Sequence, residues 1–413
     1  METFKGNIYI YIPCIITNPD ETENALKEAN KDRESPMFDF LNEMASRSDK
    51  EIIDSMRENL RRLPMGTINI LCSDTDEETS LKHRQFSKAN WVLTIHERTR
   101  LAVACIVVEK TEIPATQLLD QVSKEQILYK TNPDDKLENF EQMLKREYLM
   151  CKSGTTRVCL STRKCDKPSE IEIQHYFACE TYNSKDMRAS IKSSILNKQS
   201  QRNLAQYDSS EIFIGKKSIL RVDCREECQE SGPTFFSDCA FLFIVELMIL
   251  KDAAISRTHR KVLKGIADGN HFSLQEIDNY SQEFSTTTPF WSLDIFRYTT
   301  AQRLANNIDL EFGTSKDFEN YFKDQRFLEH RINLKNALAA ESENQMLNVL
   351  AILVFIFEAV PASYHLLIGI LNEKLTLQTN MIASLLSVSF VSILLLLLIK
   401  LIKRKNSKRL LDD

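Results

Sequence analysis

Apolar and polar positions alternate in short β-branched runs over the first half of the chain. In NIYIYIP, Ile8, Ile10 and Ile12 stand against Tyr9 and Tyr11, the period-two pattern of a strand. TINILCS, NWVLTIHE and RLAVACIVVEK continue the series, and TRVCLST, EIEIQHYFAC and EIFIGKKSILRV make a second set. His96 to Arg100 lies between two such runs and predicts a hairpin turn. The charge-rich stretch from about Ser35 to Arg62 predicts helix. The polar stretch from Asn183 to Ser209 predicts partial helix or a linker. Together these patterns predict an α/β or α+β sheet domain over residues 1–232.

After Pro233 the period changes to that of helices. FLFIVELMIL, Phe241 to Leu250, is strongly apolar, but a bilayer span needs about 20 such residues, and Lys251 and Asp252 follow at once. It reads as a buried helix. Phe272 to Phe284 and Trp291 to Phe312, the latter opened by Pro289, predict further helices in a helical region over 233–313. Gly313 ends one helix and Thr314 begins another, with Thr314 and Asp317 spaced as in a capping box. From Ser315 to Val360 there is no Gly or Pro, so an unbroken helix would run for about 70 Å at 1.5 Å per residue. Tyr321, Leu328, Ile332 and Ala339, at three-and-four spacing, give its first part, a stalk over 314–345, a packing face.

Two apolar runs close the chain. Met346 to Leu371 is long enough to cross a bilayer, and Met381 to Ile399 is 19 residues without a charge. The connection over 372–380 is short, which predicts an antiparallel pair. Lys400, Lys403, Arg404, Lys405, Lys408 and Arg409 follow the second run in the tail 400–413, whereas the connection holds only Lys374. The positive-inside rule then puts both chain ends in the cytoplasm, with the spans in the inner cell membrane. The expected fold class is an α+β cytosolic domain followed by a helical region, a long stalk helix and a C-terminal two-helix transmembrane hairpin. The N-terminus lacks the basic and long apolar parts of a signal peptide, in keeping with a cytosolic N-terminal domain.

The first apolar run is not uniform. Asn344, Asn348, Glu358, His365 and Asn372 fall on one helical stripe, completed by Ala351, Phe355, Ala362 and Gly369. A carboxylate facing lipid costs about 2.5–3.5 kcal/mol on insertion scales. Glu358 is therefore expected to face a helix bundle or an aqueous lumen. Two spans cannot enclose a lumen alone, which predicts a homo-oligomer with the stripe at its axis. The alternative is that Glu358 is protonated, or paired with His365, and holds helices together.

Composition narrows the remaining chemistry. The net charge of −5 over 413 residues gives no support for a nucleic-acid binder. Nine glycines leave no phosphate-binding loop or dinucleotide turn, and no zincin or nucleophile-elbow motif occurs, so an enzyme is not expected. The acidic groups Asp74, Asp76, Glu77, Glu78 and Asp134, Asp135 read as solvated loop charges. The ten cysteines form no C-x-x-C pair and read mostly as small core residues. Cys151, Cys159, Cys165, Cys224, Cys228 and His175 could supply zinc ligands, but their spacings fit no zinc template. Arg257, His259, Arg260, Lys261 and Lys264 cluster after the apolar helix. They read either as a solvated basic helix end or as a site for an anionic ligand such as a nucleotide.

In this architecture the chain resembles the CorA superfamily of divalent-metal transporters. Asn344-Gln345-Met346-Leu347-Asn348-Val349-Leu350-Ala351 looks similar to the N-x-x-x-K-V-L-T start of that family's first span. Pro361 precedes Asn372 by eleven residues, as the family's proline precedes the Asn of its Gly-Met-Asn signature. Here that signature is replaced by Ile370-Leu371-Asn372. The two matches differ in register by two residues. The upstream one turns Asn344, Glu358 and His365 to the axis, and the cost of a lipid-facing carboxylate favours it. The resemblance implies a homopentamer with an axial path for cations, magnesium being the family's ion. Divergent CorA-like proteins also accompany type III CRISPR systems, where they look like membrane effectors in antiviral defence, answering a nucleotide second messenger.

Overall fold

The computed structural model describes residues 4–30, 60–76, 82–113, 115–132, 135–163, 203–205, 209–224, 235–268 and 298–371, with isolated positions among 275–296 and 381–389. It divides into two units, residues 1–329 and 330–413. The first is an α+β sheet domain followed by helices.

Its centre is a ten-stranded sheet. The strands are β1 (Phe4–Ile16), β2 (Leu60–Asp76), β3 (Lys82–His96), β4 (Leu101–Ile113), β5 (Leu128–Lys130), β6 (Glu138–Asn139), β7 (Met150–Lys152), β8 (Arg157–Arg163), β9 (Ser210–Ile214) and β10 (Ser218–Asp223). Their order is β6-β5-β2-β3-β4-β1-β8-β10-β9, with β7 also pairing β1. Every pairing is antiparallel except β8 with β10. Gly6, at a register shift between β1 and β4, has no room for a side chain: a Cβ there would lie 2.2 Å from the Ser161 carbonyl oxygen.

The period-two reading of β1 holds, and the structure adds that both of its faces are buried. Ile8, Ile10 and Ile12 enter one core with Trp91, Leu93 and Ile106; Tyr9 and Tyr11 enter the other with Val92, Val103 and Cys105. That explains why β4 reads LAVACIVV, an almost unbroken apolar run. The first core is covered by α1 (Pro19–Asn30), α2 (Ala115–Ser123) and α3 (Phe140–Tyr148). Trp91 packs edge-on against Phe140 at 5.2 Å and Tyr148 at 5.6 Å. Asn139 caps α3 by accepting from the amides of Glu141 and Gln142. The second core lies under α4 (Phe235–Asp268) and α5 (Thr299–Phe312).

Gly313, in the left-handed region at φ 78°, closes α5, and α6 (Thr314–Leu371) begins directly after it. At 58 residues α6 spans about 87 Å and passes through Pro361. Tyr321, Leu328 and Ile332 are buried, as their spacing predicts, whereas Ala339 is exposed.

Several sequence expectations need correction. Leu60 to Arg62, expected to close a helix, belong to β2, while the stretch before them lies outside the described residues. The helix expected from Trp291 starts only at Thr299, after an extended Tyr298. Asp74 and Asp76 are strand residues, in register with Arg84 and Lys82. Thr314 is itself the first helical residue, and its hydroxyl engages Asp252. The expected strand EIEIQHYFAC and the stretch from Asn183 to Arg202 lie outside the described residues, as does most of Phe272 to Phe284.

Candidate functional site

The polar stripe expected on the first apolar run lies on α6. Asn344, Asn348, Glu358 and His365 are all exposed in the single chain; Asn372 lies outside the described residues. Around the stripe the helix is apolar and equally uncovered. Met346 is 70% exposed, Leu347 63%, Leu350 51%, Val354 50% and Phe355 66%. At about 100° per residue these five positions span half of the helix circumference, and Val349 (49%) and Leu353 (43%) widen the exposed apolar arc to about 240°, well beyond the stripe of an amphipathic surface helix. Of the second apolar run, Met381, Ile382, Leu385 and Ser389 are described, and each is helical and exposed. Among the described residues no helix is long and apolar enough to cross a membrane. Many side chains of α6 beyond Phe355, and most of Met381 to Ile399, lie outside them.

The sheet domain carries a second polar feature, which the sequence reading missed. Helix α4 is apolar, yet it buries Asp238, Glu246, Lys251 and Asp252. Each has a partner. Arg221 on β10 pairs with Asp238, which also accepts from the Tyr9 hydroxyl at 2.8 Å. Arg62 on β2 donates to Glu246 at 2.6 Å, and Thr94 on β3 donates to the same oxygen at 3.2 Å. Arg157 on β8 donates to Asp252 at 2.9 Å and to the Lys216 carbonyl at 3.0 Å. Lys251 pairs with Asp309 of α5 at 2.9 Å. The three arginines also lie over aromatic rings: Arg62 on Phe243 at 4.0 Å, Arg157 on Phe312 at 3.8 Å, Arg221 on Phe241 at 5.5 Å. A charge without its partner here would be costly, so these contacts fix where α4 sits on the sheet. The pairs join positions up to 184 residues apart, which is why the sequence did not show them.

The basic cluster at the end of α4 is partly engaged. Arg257 donates to the Thr99 carbonyl at the β3–β4 turn, 3.2 Å away, and His259 meets Asp324 of α6 at 2.7 Å. Arg260 and Lys264 are exposed and Lys261 is half-buried. The structure thus gives at least Arg257 and His259 a structural task.

Cys14, Cys72, Cys105 and Cys159 are buried free thiols, as expected of core cysteines. Burial raises the Cys159 thiol to about 12 and also lifts Cys105, so neither is a thiolate near neutral pH. Of the zinc candidates, Cys165, His175 and Cys228 lie outside the described residues, and Cys159 is sealed within the sheet. Among the described residues no group of three or more His, Cys, Asp or Glu is placed to hold a metal ion. One polar cleft of about 260 Å³ opens beside Tyr129, Lys130, Glu138 and Arg146. Arg146 there is already bound to Glu138 at 2.9 Å and to Glu147 at 2.8 Å.

No protein-family model matches the chain, and neither does any curated protein. Among solved structures it is similar to the complete structure of the CorA magnesium transporter from Methanocaldococcus jannaschii. The identity is 11%, the match covers 65% of this chain and 93% of the other, and the TM-score is 0.28. A likeness at that level carries no argument about activity.

Proposed function

We propose that this chain is a CorA-like, homo-oligomeric membrane channel or transporter for cations, with the sheet domain in the cytoplasm. In this reading α6 enters the bilayer near Met346, and the run from Met381 to Ile399 returns as a second helix. The basic residues from Lys400 onward then hold both chain ends on the cytoplasmic side. Asn344, Asn348, Glu358, His365 and Asn372 line an axial path shared by several copies, five if the chain follows the CorA pattern. A cation is expected because Glu358 offers carboxyl oxygens to the path; magnesium is the first to try.

One observation carries the proposal. Met346 to Phe355 form helix with large apolar side chains exposed over about two-thirds of its circumference, and the same helix bears one polar stripe. Exposed apolar area of that extent is unfavourable in water at about 25 cal/mol per Å². It is stable against lipid tails or other helices. Glu358 and His365 would be costly against lipid but not against a wet axis.

The test is cation flux or single-channel current in vesicles reconstituted with the full chain. Replacing Glu358 by Gln keeps shape and removes the charge. The expected result is an altered conductance or an altered ratio of divalent to monovalent flux. Wild-type conductance and ion preference in both Glu358→Gln and Glu358→Ala would refute an axial role for this residue.

A further inference from the structure

Helices α5 and α6 meet at one residue. Gly313 closes α5 through its amide, which donates to the carbonyls of Asp309 and Leu310, and it does so at φ 78°. A Cβ at this position would meet nothing within 4 Å, so the joint is sterically open on that side. The two residues after it are tied down. Thr314, fully buried, donates its hydroxyl to Asp252 Oδ1 at 3.4 Å, and Ser315 donates to Asp309 Oδ2 at 2.6 Å. The other oxygen of each carboxylate faces a cation: Arg157 for Asp252, Lys251 for Asp309. Lys251 and Asp252 are consecutive on α4, so one turn of that helix addresses both of the first two residues of α6.

We propose that Gly313 is a hinge and that the Thr314–Asp252 and Ser315–Asp309 hydrogen bonds are the latch that holds it closed. The chemistry separates two kinds of bond at the joint. The ion pairs within the sheet domain stay intact when the hydroxyls let go, so each buried carboxylate keeps its compensating cation in the open state. Opening confined to the first turn of α6 exchanges these two charge-assisted hydrogen bonds for bonds to water, and leaves buried Tyr321 and Leu328 and the His259–Asp324 contact in place. A joint built on glycine and closed by two hydroxyl bonds to strongly held carboxylates can open locally at the first turn of α6 without unfolding the domain. Arg157 extends the device to the β9–β10 turn, because it also donates to the Lys216 carbonyl. The inference does not depend on whether α6 enters a bilayer.

Hydrogen exchange of the full chain tests it, comparing amides of residues 315–321 with those of Ile8 to Ile12 in β1. In the double variant Thr314→Val, Ser315→Ala the first set should exchange about tenfold faster while β1 is unchanged. Thr314→Ser, which keeps the hydroxyl, should match wild type. Unchanged exchange at 315–321 in the double variant overturns the latch. Equal acceleration in β1 also overturns it, since the hydroxyls would then be general stabilisers of the domain. So would acceleration in Thr314→Ser as large as in the double variant.

Discussion

Single residues in this protein act through what they are buried against. His96 is 3% exposed, and its Nδ1 lies 2.7 Å from the Thr99 hydroxyl. Burial, with a smaller contribution from Arg98, lowers its pKa from 6.5 to about 4. The folded state therefore favours the neutral ring, and the unfolded state binds more protons between those two values. The stabilisation is complete above about pH 6.5 and is lost as pH falls towards 4. His96→Gln, which cannot titrate, should flatten the stability profile across that window, read as the denaturant midpoint from Trp91 fluorescence at pH 7 and pH 4.5. An unchanged slope would mean that other groups set the acid limb. Arg157 shows the same dependence for a permanent charge. Replacing it by Met leaves Asp252 buried without its cation, and the expected loss is about 3–5 kcal/mol in the same unfolding measurement. The double replacement Arg157→Met, Asp252→Leu should recover part of that loss, because an uncompensated charge is the larger part of the cost.

At the scale of elements, local chemistry and long-range burial contribute differently. The cap on α3 is local: Asn139 accepts from two otherwise unpaired amides, and Asn139→Ala should cost about 1 kcal/mol. Alternation and β-branching mark β1, β2, β3, β4 and β8 and place the turn between His96 and Leu101, while the single run EIFIGKKSILRV is split by the structure into the antiparallel pair β9 and β10. The sequence also marks the break at Gly313, because only that residue type adopts φ 78° without strain. The start of α5 lies at Thr299, after an extended Tyr298, later than the pattern from Trp291 predicts. In the sequence Lys251 and Asp252 read as the end of a buried segment. In the structure α4 continues through them to Asp268, since each charge finds a buried partner.

At the scale of the whole molecule, α6 sets the behaviour. A chain with this much apolar helix uncovered should sediment with membranes and stay there through alkaline carbonate washing. Release into the soluble fraction would remove the basis of the proposed ion path. The stripe of Asn344, Asn348, Glu358 and His365 was legible in the sequence because helical period alone puts those positions together. The charge network of the sheet domain was not. Arg62, Arg157 and Arg221 sit in strands and their carboxylates in one helix, and nothing in the spacing of either says which will meet.

The sequence by itself determined most of the longer strands, the glycine joint, the long helix and the two apolar runs, because periodicity, backbone freedom and hydropathy are properties of neighbouring residues. Only the tertiary structure decided that the sheet is buried on both faces, that α4 carries four paired charges into its core, and that Thr314 and Ser315 are held by Asp252 and Asp309. Those facts depend on which distant groups share a low-dielectric interior, and chain order does not encode that distance directly.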